Sequence, residues 1–387
     1  MAVTYPADLA ALLDGVAETE RGPRGGLVPH RLPGWAREQH DQLDLVWGEA
    51  CPAGGVLRLR TAAGRITLRA AATVVELAGL RFPDPPRLAV RDGGRTVVRD
   101  LPATQVVQVA GPDGVRGGVI DVGDPATVVI VREPVDRTVE IHLPHNCGVE
   151  LLALDADAPV APAGPAAGLR WLHYGSSISH CVSSPSPERT WPAQVAAARG
   201  WTLRNLAFSG NAQLDPFAAR VIRDAAADLI TLKVGINVVN ADSMRQRTFL
   251  PAVHGFLDTI REGHPETPIV VVTAIGCPMH EDAPGPAVQE DGAYRPGRRR
   301  LELDAGALTL AATRTLLARA VAARRARDPR LFLVDGRELL GADEAHLLTD
   351  ALHPSQEGYD LMARRFPGLL PAAALGAQAE AASRSNA

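Results

Sequence analysis

A run of hydroxyls begins where an apolar segment stops: Leu169–Tyr174 leads into Gly175, then Ser176, Ser177, Ile178 and Ser179. Far along the chain, Asp350 and His353 stand three residues apart, just before Pro354. Between them lie Gly210, within Phe208-Ser-Gly-Asn-Ala212, and Asn237, within Gly235-Ile-Asn. These are the residue types of acyl transfer. A hydroxyl becomes a nucleophile when an imidazole takes its proton, and a carboxylate orients that imidazole and favours its cationic form. Backbone N–H groups and an Asn amide can meet the oxyanion that develops. Each residue also has a plain structural reading. Gly-Ser-Ser is ordinary loop composition, His353-Pro-Ser can cap a helix, Gly210 can be a turn glycine, and Gly-x-Asn can mark a left-handed turn. Only convergence in space separates the two readings.

Convergence requires a scaffold, and the C-terminal half supplies its pattern. Apolar strands are predicted at 169–174, 203–207, 228–234, 269–273 and 331–335, alternating with helices at 191–199, 215–226, 244–262, 298–327 and 355–366. Thr190 before Trp191-Pro192, and Asp215 before Pro216, have the residue types of helix starts. Alternating βα units with continuous apolar strands imply a parallel sheet covered on both faces. All strands of such a sheet end at one edge, where α/β proteins keep their sites. Ser177, Gly210, Asn237 and the Asp350/His353 pair each follow a strand of this series.

The N-terminal half reads differently. Short, often alternating strands are expected at 56–60, 65–69, 73–77, 87–91, 95–99, 105–109, 126–131, 138–143 and 148–152. Turn signals such as Asp92-Gly-Gly94 and Asp124-Pro125 separate several of them, and no helical pattern intervenes. That is the signature of an all-β sandwich, a jelly roll being one form it could take. The expected organisation is a helix and connector over 1–50 and the sandwich over 51–160. A small-residue linker over 161–168, the α/β domain over 169–372 and a tail over 373–387 follow.

Composition bounds the function. A net charge of −4 with both signs interspersed leaves no nucleic-acid footprint and no polybasic membrane patch. No basic start with an apolar core opens the chain, and no apolar run is long enough to span a bilayer, so a cytoplasmic protein is expected. The four cysteines, Cys51, Cys147, Cys181 and Cys277, are scattered without a CxxC pair, which suits reduced thiols. A pairing of Cys181 with Cys277 stays open. No HExxH or comparable spacing is present, so neither a metal nor another cofactor is expected.

Gly175-Ser-Ser-Ile178, Gly210 within Phe-Ser-Gly-Asn-Ala, Gly235-Ile-Asn237 and Asp350-Ala-Leu-His353 resemble four blocks of the SGNH (GDSL-type) hydrolases, in order, from 169 to 366. The preceding sandwich resembles, more loosely, the accessory domain of SGNH esterases that act on carbohydrates and related acylated molecules. The resemblance implies a three-layer α/β/α, flavodoxin-like domain. It makes Ser177 the nucleophile, His353 the general base and Asp350 the orienting acid, with the Ser177 amide, the Gly210 amide and the Asn237 side chain as oxyanion hole. The family's usual aspartate before the nucleophile is Ser176 here, and Ser176 and Ser179 compete with Ser177 for the assignment. The implied activity is hydrolysis of small O-acyl esters, acetyl foremost, on a carbohydrate or small metabolite. An acyltransferase using the same serine with an alcohol acceptor, and an inactive glycan-binding protein, are the rivals. Oligomeric state is not legible.

Specificity is expected from the polar, Pro/Gly-rich segment 276–297, which follows the fourth strand and suits a polar ring better than a fatty chain. Its candidate substrate contacts are His280, Asp282, Tyr294 and Arg295, joined by His180 after the first strand; Met279 lies in the same segment. The segment is expected to wall the pocket, to move on substrate entry and to leave the triad outside it. His173, inside a strand, is expected to pack.

Overall fold

Alternating residues in the N-terminal half pair as two sheets around one core. The computed structural model describes residues 2–4, 6–77, 85–110, 115–164, 168–299 and 304–375. The chain divides into two compact units, Met1–Ala167 with Cys181–Ala193, and Gly168–His180 with Gln194–Ala387.

In the first unit the larger sheet runs in the order Val115–Asp121, Gln105–Ala110, Arg65–Leu77, Gly148–Ala156, Leu27–His30, Glu18–Arg21, with Ala126–Val131 also paired to Arg65–Leu77. The second runs Val160–Pro162, Val56–Thr61, Arg137–His142, Arg87–Asp92, Arg95–Asp100. Pairing is antiparallel except between Arg65–Leu77 and Gln105–Ala110. Leu57, Leu59, Val139 and Ile141 from one sheet and Ile66, Leu68, Leu151 and Leu154 from the other are buried in a single cluster, which makes this a sandwich.

Several details differ from the sequence reading. The strands expected at 65–69 and 73–77 are one strand, because Ala70, Ala71 and Ala72 carry the pairing across to Leu151, Glu150 and Val149. A strand at Val115–Asp121 was not expected. Residues 1–50 are more than a helix and connector: Glu18–Arg21 and Leu27–His30 form a hairpin in the larger sheet. Polar composition hid the first of these, and Pro29 hid the second. Cys181–Ala193, expected in the α/β domain, clusters with the sandwich, where Arg87 donates to the Pro185 carbonyl at 2.8 Å. Most of the expected tail, from 376, and residues 165–167 of the expected linker lie outside the described residues.

The second unit is built on five parallel strands: β1 (Arg170–Gly175), β2 (Thr202–Ala207), β3 (Leu229–Lys233), β4 (Ile269–Val272) and β5 (Leu331–Val334), in the order β2-β1-β3-β4-β5. Every residue of β3 and β4 is buried, as central strands covered on both faces require. Its helices are α1 (Ser177–His180), α2 (Trp191–Arg199, from Gln194 onward in this unit), α3 (Pro216–Asp224), α4 (Ile236–Asn240), α5 (Gln246–Gly263), α6 (Leu310–Arg324) and α7 (Gln356–Leu369). Right-handed crossovers in this strand order put α2 on one face and α3, α5 and α6 on the other. Contacts agree. Gln194 on α2 donates to Asp360 on α7 at 2.9 Å, Arg223 on α3 reaches Glu262 on α5 at 3.2 Å, and Arg324 on α6 meets Asp258 on α5. This is the flavodoxin-like three-layer arrangement. Helix α6 starts at Leu310, with Thr309 as its cap, rather than near 298; residues 300–303 lie outside the described chain.

Candidate active site

The strand order decides what can meet. β1 lies between β2 and β3, with Gly175 level with Ala207 and Tyr174 level with Leu232. The turns that follow these three neighbours carry Ser177, Gly210 and Asn237. All belong to the second unit, as do Asp350 and His353, which follow β5.

Ser177 opens the single helical turn α1. The preceding Ser176 is fully buried, and its Oγ accepts the Ile178 amide at 3.3 Å while its carbonyl accepts the Ser179 and His180 amides, both at 2.9 Å. Ser176 thus caps the turn. Where the resemblance leads one to expect an aspartate, a neutral hydroxyl fills the capping role. Ser179 is also fully buried. Of the three serines, Ser177 alone is exposed enough to meet a solute.

The Ser177 hydroxyl lies 2.9 Å from His353 Nε2, and His353 Nδ1 lies 2.7 Å from Asp350 Oδ2. With Nδ1–H donating to the carboxylate, Nε2 presents a lone pair to the hydroxyl. Asp350 is half-buried. Its desolvation works against ionisation, but the His353 hydrogen bond and charge, with the His353 and Leu352 amides on Oδ1 at 2.7 and 3.1 Å, hold the carboxyl below its ordinary range. The loop around it is closed by a bridge between Leu348 and Pro354 and turns through Ala351, whose φ of 67° is unusual for a residue with a side chain. Ser355 then caps α7 by accepting the Gly358 amide at 3.2 Å, so the capping and chemical readings of this stretch hold together.

Asn237 is buried in α4, and its Oδ1 accepts the Ala212 amide at 2.9 Å, which leaves the Nδ2 end to donate. It does not take a positive φ; the neighbouring Gly235 does, at 117°. A side chain at Gly235 would be strained at that φ and would also crowd Thr313. Gly210 is exposed in a turn at φ 76°. Together these groups can deprotonate a hydroxyl and offer donors to an oxyanion.

The other histidines sort by burial. His173 packs as expected, sharing a 2.6 Å hydrogen bond with Thr231, and burial with the Lys233 charge pushes it down to about 3, so it stays neutral. His180 is fully buried and bonds Ser209 Oγ through Nδ1 at 3.0 Å, beside Gly210. His280 is fully buried and bonds the Ala283 carbonyl at 2.9 Å. A fully buried side chain has no surface to offer a substrate, so both are corrected from substrate contacts to supports of their turns. Asp282 and Arg295 are exposed.

Segment 276–297 is not a loose loop. It contains a hairpin, Ala287–Glu290 with Ala293–Pro296. The Tyr294 amide donates to the Asp350 carbonyl at 2.9 Å, and the Tyr294 ring stands edge-on to the His353 ring, centroids 5.7 Å apart at 71°. The Cys277 thiol lies 3.4 Å from the Ala351 carbonyl. Glu281 takes both terminal nitrogens of the buried Arg314, at 2.6 and 2.8 Å, and Arg314 also donates to the Ala274 and Ile275 carbonyls. Ser177, Asp350 and His353 lie outside this segment, as expected, but the segment packs directly against Asp350 and His353. Arg314 escaped the sequence reading, since nothing in an Ala-rich helix marks one arginine as buried. The four cysteines are buried and form no disulfide with one another. Among the described residues no group of three or more His, Cys, Asp or Glu side chains could hold a metal ion.

A flavodoxin-like sheet with a hydroxyl, an imidazole and a carboxylate in line at its carboxyl edge defines the class of serine ester hydrolases. Residues 173–361 match the model of the GDSL-like Lipase/Acylhydrolase family, and this part of the chain is a GDSL-like acylhydrolase domain. The whole chain is similar to the salicylyl-acyltransferase SsfX3 from a tetracycline biosynthetic pathway. Identity is 26%, 95% of this chain and 97% of that one are covered, and the TM-score is 0.74. It also resembles a GDSL-like lipase from Bacteroides ovatus, with 20% identity, coverage of 95% and 97%, and a TM-score of 0.63. A family two carbohydrate esterase from Cellvibrio japonicus shares the fold at 14% identity, coverage of 95% and 96%, and a TM-score of 0.53. No curated protein matches the sequence. The activity is that of an acyl hydrolase or acyltransferase. No helix among the described residues is long and apolar enough to cross a membrane.

Proposed function

We propose that the chain hydrolyses small O-acyl esters, acetyl foremost, on a carbohydrate or small polar metabolite, through an acyl-enzyme at Ser177. The observation that carries this is the unbroken hydrogen-bond chain Ser177–His353–Asp350. His353 takes the Ser177 proton as Oγ attacks the ester carbonyl, and the tetrahedral oxyanion is met by the Ser177 and Gly210 amides and Asn237 Nδ2. His353 then returns the proton to the leaving alkoxide, and water repeats the sequence on the acyl-serine. An intact chain of this kind speaks against a purely glycan-binding role.

Support for a small or polar substrate comes from the surface. Every large apolar side chain that is prominently exposed among the described residues lies at or before Val135, none in the α/β unit. A long acyl tail would require apolar surface. Transfer to an alcohol instead of water is the second reading, favoured by the similarity to an acyltransferase over nearly the full length of both chains. Turnover of p-nitrophenyl acetate, with and without an alcohol acceptor, tests both. Hydrolysis that Ser177→Ala abolishes supports the proposal, and a new ester formed at the expense of free acid selects the transferase. Undiminished hydrolysis by Ser177→Ala would sink both.

A further inference from the structure

The loop that carries Asp350 and His353 does not hold its shape by local bonds alone. Ala351 sits at φ 67°, a conformation that persists in a residue with a side chain only when its surroundings impose it. Part of the constraint is internal, from the Leu348–Pro354 bridge and the two amides on Asp350 Oδ1. The rest comes from segment 276–297. It bonds the Asp350 carbonyl through the Tyr294 amide, bonds the Ala351 carbonyl through the Cys277 thiol, and covers His353 with the Tyr294 ring. The segment is itself fixed to α6 by the Glu281–Arg314 pair and by the Ala311 amide on the Glu281 carbonyl at 3.2 Å.

We infer that Tyr294 is a positioning residue for this reaction: the hairpin works as a strut, and the Tyr294 ring confines the His353 imidazole to the orientation that faces Ser177. The inference rests on the reading of Ser177, His353 and Asp350 as the reacting set. An imidazole tethered at Nδ1 can still rock about its Cβ–Cγ axis within the tolerance of that one hydrogen bond, even with the carboxylate held by two amides, and a ring set edge-on against it narrows that freedom. Misplacing a base by about 1 Å can cost up to ~10²-fold in rate, so confinement of this kind has a kinetic value. The effect falls on the proton transfer, hence on kcat, and is the same for every ester that reaches Ser177. A substrate-binding wall would act otherwise, through KM and according to the size of the ester.

The test uses the full chain and two esters, p-nitrophenyl acetate and p-nitrophenyl butyrate. Tyr294→Phe keeps the ring and is expected to stay within about twofold of the parent. Tyr294→Leu fills the same space without an aromatic ring, and Tyr294→Ala empties it. Both are expected to lower kcat about tenfold or more on each ester, with KM nearly unchanged. Melting curves identify any variant that fails to fold, and Tyr294→Leu decides the question if Tyr294→Ala does. In the folded Leu variant, the proton shared by His353 and Asp350 is expected to exchange faster with water by proton NMR. Parent-like kcat in the folded Leu variant, a loss confined to KM, or a Phe variant as impaired as Leu would overturn the inference. Activity surviving Ser177→Ala would instead overturn the reading beneath it, so the two failures are distinguishable.

Discussion

Ser176 and Ser177 are neighbours in the chain with opposite surroundings: Ser176 Oγ is sealed inside, accepting the Ile178 amide at 3.3 Å, while Ser177 Oγ lies 2.9 Å from His353 Nε2. Consecutive residues thus present one hydroxyl that caps a turn and one that faces an imidazole. Ser177→Ala and His353→Ala should each lower kcat by roughly 10⁴-fold or more, with the double variant little worse than either. Ser176→Ala should cost about 1 kcal/mol of stability through the lost cap and far less activity. Steady-state kinetics and chemical denaturation of the four proteins check this; a dead Ser176→Ala beside an active Ser177→Ala would reverse the assignment.

Asn237 is held by the Ala212 amide on its Oδ1, so its donor end is fixed before any substrate arrives. Asn237→Ala should reduce kcat by about 10²–10³-fold, equivalent to ~3–4 kcal/mol of transition-state stabilisation, while KM changes little. Should KM rise with kcat unaltered, Asn237 would belong to substrate binding.

Asp350 should make stability depend on pH, and activity depend on its carboxylate. Its carboxyl is held below the ordinary range in the folded chain, so the native state binds this proton less readily than the unfolded state does. The stabilisation is therefore complete above the unfolded value of about 4 and is lost as pH falls through the lower folded value. Asp350→Asn should remove that contribution and flatten the acid side of a plot of denaturation midpoint against pH. It should also cut kcat by about 10⁴-fold, because an amide no longer selects the Nδ1–H tautomer of His353. An unchanged acid limb would show that the hydrogen bonds to the Asp350 carboxylate contribute nothing to folding.

Arg314 is buried against the Glu281 carboxylate and two carbonyls. Glu281→Ala leaves a buried cation without its counter-charge and should destabilise the chain by about 3 kcal/mol or more, read from urea denaturation. Because Glu281 also anchors the segment that bears Tyr294, kcat should fall with it. A loss within experimental error of zero would mean that Arg314 finds water or another acceptor.

Legibility from sequence followed the range of the forces involved. Apolar runs and their period set five parallel strands, and a parallel sheet has one carboxyl edge, so Ser177, Gly210, Asn237 and Asp350/His353 had to lie at that edge. The sandwich was readable for the same reason, since alternation records which face of a strand is buried. Its polar strand Glu18–Arg21 and the proline-bearing Leu27–His30 were not, because their pairing with distant partners overrides local preference.

Tertiary structure alone decided the direction of side chains in turns. Three serines within four residues of Gly175 are alike as text, yet Ser176 and Ser179 turn inward, and the chain reversal that does this is closed by backbone bonds in α1. His180 and His280 looked available and are buried, because the Ser209 hydroxyl and the Ala283 carbonyl lie beside them in space. Tyr294 was legible as a candidate but not in its place. Its contact with His353 spans a stretch of sequence without periodic pattern, and only packing of the hairpin against the Asp350 loop brings the two rings together. Period and composition encode which residues are buried and which edge they share. Contacts between irregular segments depend on the shape of the whole domain, and no local pattern carries that shape.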